Sequence, residues 1–177
     1  MTNRLEVQRP IAADAATIFE VLSRPSGHVD IDASGMLMSA SGERVRAVGD
    51  RFDVHMDRES LQDYPLGEYT VTVVIARFEP DTAIAWTIDG VMQPPIGHVY
   101  GYELEPVDGG TMVTSYYDWS NIHDAYKDRA AAIFPVISET NLRSTLGILA
   151  RVVAPGRGRP GANATAKGGV SIDDNSE

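Results

Sequence analysis

The sequence predicts an α+β fold, a seven-stranded antiparallel curved sheet wrapped around one long C-terminal helix, with two short helices after the first strand. Three observations carry that prediction. Residues 5–32 read as a strand, a capped helix and a short broken helix. Six strand-like runs then follow at short intervals, two of them joined by the tight-turn signal Asp108-Gly109-Gly110. Residues 134–153, FPVISETNLRSTLGILARVV, close the domain as an amphipathic helix. Runs so closely spaced leave no room for crossover helices, which favours a meander over βαβ units.

The elements follow in order. Leu5 and Val7 alternate with polar neighbours, and Pro10 is expected to stop this first strand. Asp14 can N-cap a helix whose Ile18, Phe19 and Leu22 share one face. Pro25 drives Arg24 out of helical geometry and ends that helix near Ser23, and residues 26–34 read as a short helical turn or a loop. Strands are expected at Met36–Ser41, with Gly42–Glu43 as the turn, and at Gly49–Met56, where Phe52, Val54 and Met56 share a face. Residues 67–78 are β-branched on both faces, so the inward side is undecided without a bulge. Residues 83–88 set Ile84, Trp86 and Ile88 inward, and residues 97–104 and 111–119 form the last hairpin. A short helix is expected through Ala130–Ile133. Pro135 suits the first turn of the final helix, and Pro155 ends it. Its residues fall into two neighbouring stripes: Ile137, Asn141, Ser144 and Ile148, and Leu142, Leu146 and Leu149.

Composition narrows the function. At 177 residues with 43% hydrophobic and 23% charged, the chain is one domain with an ordinary core, assigned to residues 1–153. Residues 154–177, rich in Gly, Ala, Pro and Ser, read as a disordered tail whose charges cancel, which leaves the whole net charge of −10 on the folded part. That charge argues against nucleic acid and anionic membranes. Without cysteine there is no disulfide or thiolate chemistry. No leader or spanning segment is read, so a cytoplasmic location is expected. Gly156 to Gly161 spells G-x-G-x-x-G but follows no strand, so no cofactor is expected. The Asn163-Ala-Thr165 sequon matters only after secretion.

The run PIAADAATIFEVLSRPSGHVDIDASG, with its His28 to Gly35 segment, and the later Glu79, Pro80, Ile84, Ala85 and Trp86 resemble the START-like (SRPBCC) superfamily, nearest its polyketide cyclase/dehydrase-like branch. The order of elements matches that family over roughly residues 3–153. The resemblance implies the helix-grip (START/Bet v 1-like) fold and a cavity between sheet and last helix for sterols, lipids, polyketides or other apolar molecules. It leaves open carriage of such a ligand, a cyclase, aromatase or dehydratase activity, and a co-chaperone-like domain with a closed cavity.

The expected cavity lining is Met36, Phe52, Val54, Met56, Trp86, Tyr100, Ile137, Asn141 and Ile148. Met36, Met38, Met56, Met92 and Met112 suit either a cavity for a flexible guest or an irregular core. Three residues are candidate acids or bases. His28 sits in the polar run with Asp30 and Asp32, where the carboxylates equally read as backbone caps. Tyr100 either enters the cavity or packs on the solvent side. Asp118 either points into an apolar chamber, where its pKa would rise, or pairs at a strand end with Lys127 or Arg129. One histidine and two carboxylates are too few for a metal site, so none is expected. The expected partner is a hydrophobic small molecule.

Overall fold

The computed structural model describes residues 3–160. The elements run β1 (Arg4–Ile11), α1 (Ala15–Ser23), α2 (Pro25–Ile31), β2 (Leu37–Ser41), β3 (Arg51–Asp57), a 3₁₀ turn (Glu59–Leu61), β4 (Glu68–Glu79), β5 (Ala83–Asp89), β6 (Val99–Val107), β7 (Gly110–Asp118), α3 (Asp124–Lys127), α4 (Ala130–Ile133) and α5 (Glu139–Val153). The strands form one antiparallel sheet in the order β1-β7-β6-β5-β4-β3-β2. After β1 the chain crosses the sheet through α1 and α2, then meanders back until β7 pairs with β1. The predicted fold class is the observed one.

Local chemistry accounts for the boundaries. Asp14 Oδ1 accepts from the Thr17 amide at 2.7 Å and starts α1, and extended Arg24 separates α1 from α2. Pro10 does not end β1. It stays in the strand opposite Met112, because β1 is an edge strand and a proline's missing N–H is tolerated there. The turn after β2 is longer than Gly42–Glu43. Residues 42–50 fold inward, burying Val45, whose amide donates to the Ser23 carbonyl at 3.0 Å. In β4 the register shifts between Ile75 and Arg77, and this bulge resolves the two-faced pattern. Val71, Val73 and Ile75 point inward before it, and beyond it Phe78 meets Phe19 edge-on, with ring centroids 5.3 Å apart.

The last helix starts later than predicted. Pro135 precedes it rather than opening it, because Ser138 and Asn141 form a capping box: Ser138 Oγ accepts from the Asn141 amide (3.1 Å), and Asn141 Oδ1 accepts from the Ser138 amide (3.3 Å). Ser138→Ala is expected to cost about 1 kcal/mol. Urea denaturation checks this, and an unchanged midpoint would show that the box does not hold the helix start. The buried stripe of α5 is Leu142, Leu146 and Leu149, while Ser144 is exposed. Beyond α5, Ala154 is buried and accepts from the Arg157 amide at 3.1 Å, so the predicted tail begins with a turn held against the domain. Residues 161–177, with the sequon and the last glycine of the G-x-G-x-x-G run, lie outside the described residues. Among the described residues no helix is long and apolar enough to cross a membrane.

Candidate functional site

Between the sheet, α2, α5 and the loops around residues 64–66 and 90–96 lies a chamber of about 430 Å³. Alternation along the strands builds its sheet wall. Val54 and Met56 of β3, Tyr69, Val71 and Val73 of β4, Trp86 and Ile88 of β5, and Tyr100 and Tyr102 of β6 all project from one face. His28 and Ile31 of α2 and Asn141, Leu142 and Thr145 of α5 close the other side. Leu66, Val91 and Met92 are exposed at its mouth. Trp86, Phe134 and the methionines leave this space unfilled.

The predicted lining separates into two groups. Met36, Val54, Met56, Trp86, Tyr100, Ile137 and Asn141 line the chamber, as does His28. Phe52 shares the inward face of β3 but is outside the lining, its ring packed 4.9 Å from that of His28, and half-buried Ile148 is also outside the lining. Of the other methionines Met92 lines the mouth, while Met38 is exposed and Met112 sits on the opposite sheet face beside Pro10. Asn141 does not offer its whole amide, because its Oδ1 is engaged in the capping box.

Asp118 is the clearest correction. The inward set on β7 is Val113, Ser115 and Tyr117, continued by Trp119 just past its end, which leaves Asp118 on the outer face, 3.6 Å from Arg4 and bonded to the Ser120 amide at 2.8 Å. Those donors outweigh its partial burial and hold its pKa below the usual carboxylate range, so the expected rise does not occur. Its partner is Arg4, not Lys127 or Arg129. Asp32 acts as a backbone cap. Its Oδ1 accepts from the amide and hydroxyl of Ser34 (2.9 and 2.6 Å) and its Oδ2 from the Leu37 amide (3.1 Å).

His28 is buried, and its Nε2–H donates to the Leu22 carbonyl at 2.9 Å. Burial among Phe52 and Trp86 drives its pKa down to about 4, so it stays neutral through the physiological range and does not switch near pH 7. His98, which the sequence placed only on the Tyr100 face, is a second buried imidazole with a pKa near 4 for the same reason. Its Nδ1 lies 2.9 Å from the Tyr117 hydroxyl, and the Tyr117 ring stacks on Tyr100 with centroids 4.6 Å apart. Burial raises the pKa of Tyr100 and of Tyr117, and lifts that of Tyr102 to about 12, so all three remain phenols.

Sequence reasoning missed Arg58. Its side chain is 6% exposed at the chamber edge, and its guanidinium pairs through two nitrogens with Asp63, Nε to Oδ1 at 3.1 Å. Nothing in the spacing Arg58-x-x-x-x-Asp63 signals burial, because that comes from the loop folding back so that the Arg58 amide meets the Gly67 carbonyl at 2.9 Å. Among the described residues no three His, Asp or Glu side chains gather as a metal site.

A curved antiparallel sheet gripping a C-terminal helix around an apolar chamber defines the helix-grip fold. Solved structures agree. Protein CV1439 from Chromobacterium violaceum superposes with a TM-score of 0.61 at 16% identity, over 88% of this chain and 99% of that one. The Polyketide_cyc-like protein from Corynebacterium glutamicum gives 0.54 at 17% identity over 86% and 91%. The AHSA1-like protein from Aeromonas hydrophila gives 0.53 at 16% over 85% and 91%. No family model matches the chain, and no curated protein matches it.

Proposed function

We propose that this protein binds and carries an apolar small molecule, of the lipid, sterol or polyketide kind, in the chamber between the sheet and α5. The observation that supports this reading best is the chamber itself: about 430 Å³, bounded chiefly by aliphatic and aromatic side chains. A pocket of that size and lining suits a small guest. Burial of its surface at about 25 cal/mol per Å² supplies the driving force, before the costs of ordering. The alternative, a cyclase, aromatase or dehydratase in the same space, has less support. Asp118 lies outside the chamber, and the two imidazoles gain protons only near pH 4. A co-chaperone-like domain with a closed interior is disfavoured by the open chamber.

Native mass spectrometry of protein purified from its own host, with displacement of the neutral dye Nile red, tests the proposal. A co-purifying apolar compound supports it, and a chain that neither retains nor binds any such compound overturns it. Val73, 3% exposed on the sheet wall, gives the matching variant. In Val73→Trp the added ring projects from the sheet wall towards the chamber and takes up guest volume. Dye affinity is expected to fall at least about tenfold, the equivalent of 1.4 kcal/mol, with the circular dichroism spectrum unchanged. Unaltered affinity would place the guest elsewhere.

A further inference from the structure

We infer that the chamber selects neutral guests bearing a single hydrogen-bond acceptor of the ketone or ester kind, held by the Tyr100 hydroxyl, and rejects carboxylates of the same length. The inference rests on the binding proposal above and names the ligand class for that chamber.

It stands first on what charged groups surround the space. Among the described residues the lining holds one carboxylate, Asp32, whose oxygens face the Ser34 and Leu37 donors, and one guanidinium, Arg58, already engaged on two nitrogens by Asp63. The two histidines, His28 and His98, are buried and neutral. An incoming carboxylate would therefore lose its water without gaining a free cation, and would enter beside an existing negative charge. Burying an unpaired ion is far costlier than burying a hydrogen-bonded carbonyl.

The second support is the Tyr100 hydroxyl on β6. His98 Nδ1 contacts the Tyr117 hydroxyl at 2.9 Å, so Tyr117 already has its partner. The Tyr100 hydroxyl makes no comparable bond among the described residues, so its O–H is left to donate into the chamber that Tyr100 lines. Tyr100 lines the chamber with its ring fixed by stacking on Tyr117 and Trp86. A neutral carbonyl oxygen is the acceptor such a donor matches. A hydrocarbon would leave it unpaired.

Competition against Nile red with three length-matched probes, tridecane, 2-tridecanone and tridecanoate, tests the inference on the full chain well above the carboxylate pKa. The ketone is expected to bind tightest and tridecanoate at least about tenfold more weakly than the ketone. Tyr100→Phe should reduce ketone affinity about three- to tenfold without weakening tridecane, which also verifies that the chamber is intact. Tridecanoate binding as tightly as the ketone, above all if Arg58→Met abolishes it, overturns the inference and makes Arg58 an anion anchor. Equal loss of all three probes in Tyr100→Phe overturns the hydroxyl's role. If none of the probes displaces the dye from the wild-type chain and no dye binds, the binding proposal itself falls, an outcome separate from a failure of selectivity.

Discussion

Acidification from about pH 6.5 to pH 4 is expected to remove most of the stability of this protein, and the two interior imidazoles account for it. His28 and His98 each have a folded pKa near 4 against an ordinary value of 6.5. Between those values the unfolded chain binds protons that the folded chain does not, so stability falls as pH falls. It is fully present above about pH 6.5 and lost progressively towards pH 4. A shift of that size corresponds to an order of 3 kcal/mol per histidine, a large share of the ~5–15 kcal/mol typical of a domain. This window lies above the one in which depressed carboxylates such as Asp118 act, since their contribution is lost only as pH drops below the usual carboxylate value. Urea midpoints measured across the range should slope steeply. Replacement of His98 by Phe should roughly halve the slope, and NMR titration of both rings should give values near 4. Rings that titrate near 6.5, with a flat midpoint, would mean that neither imidazole is sealed from water.

Truncation of α5 is the second large effect. Leu149 and Leu146 are 0% and 1% exposed, wedged between the helix and the sheet. Leu149→Ala removes buried methyl groups at a place where the surrounding strands cannot collapse, for a loss of about 2–5 kcal/mol. Ile148→Ala, on the half-buried neighbouring stripe, should lose clearly less. A lower denaturation midpoint with unchanged m-value checks both. Equal sensitivity of the two positions would mean that α5 presents a different face to the sheet.

The contrast between those stripes shows how far sequence reading reached. Period and punctuation located every strand, because alternation in runs such as Phe52-x-Val54-x-Met56 is a local property. They also located α1, through Asp14 and Pro25. What local pattern cannot express is the side of an element that meets a neighbour distant in sequence. Both stripes of α5 are apolar enough to face a sheet, so Ile148 was placed in the chamber and Leu142 was not. On β7 two alternating sets compete, and the choice that excludes Asp118 is fixed by register: Tyr117 opposite Tyr100 and Ser115 opposite Tyr102. The bulge in β4, the inward fold of residues 42–50 and the burial of Arg58 are likewise outcomes of long-range pairing. Seven of the nine expected lining residues line the chamber, because inward alternation on β3 and β5 sufficed to find most of them.

The unfilled chamber has a bearing on the protein's lifetime. The side chains around it lack partner atoms on one side, so the empty form gives up contacts that a close-packed interior would make. On the binding proposal, a guest completes that interior and stabilises the folded chain in proportion to how far its concentration exceeds the dissociation constant. The apo form would then be unfolded and degraded more often than the loaded one. Cellular abundance of the protein would rise and fall with the supply of its cargo, without any dedicated regulator.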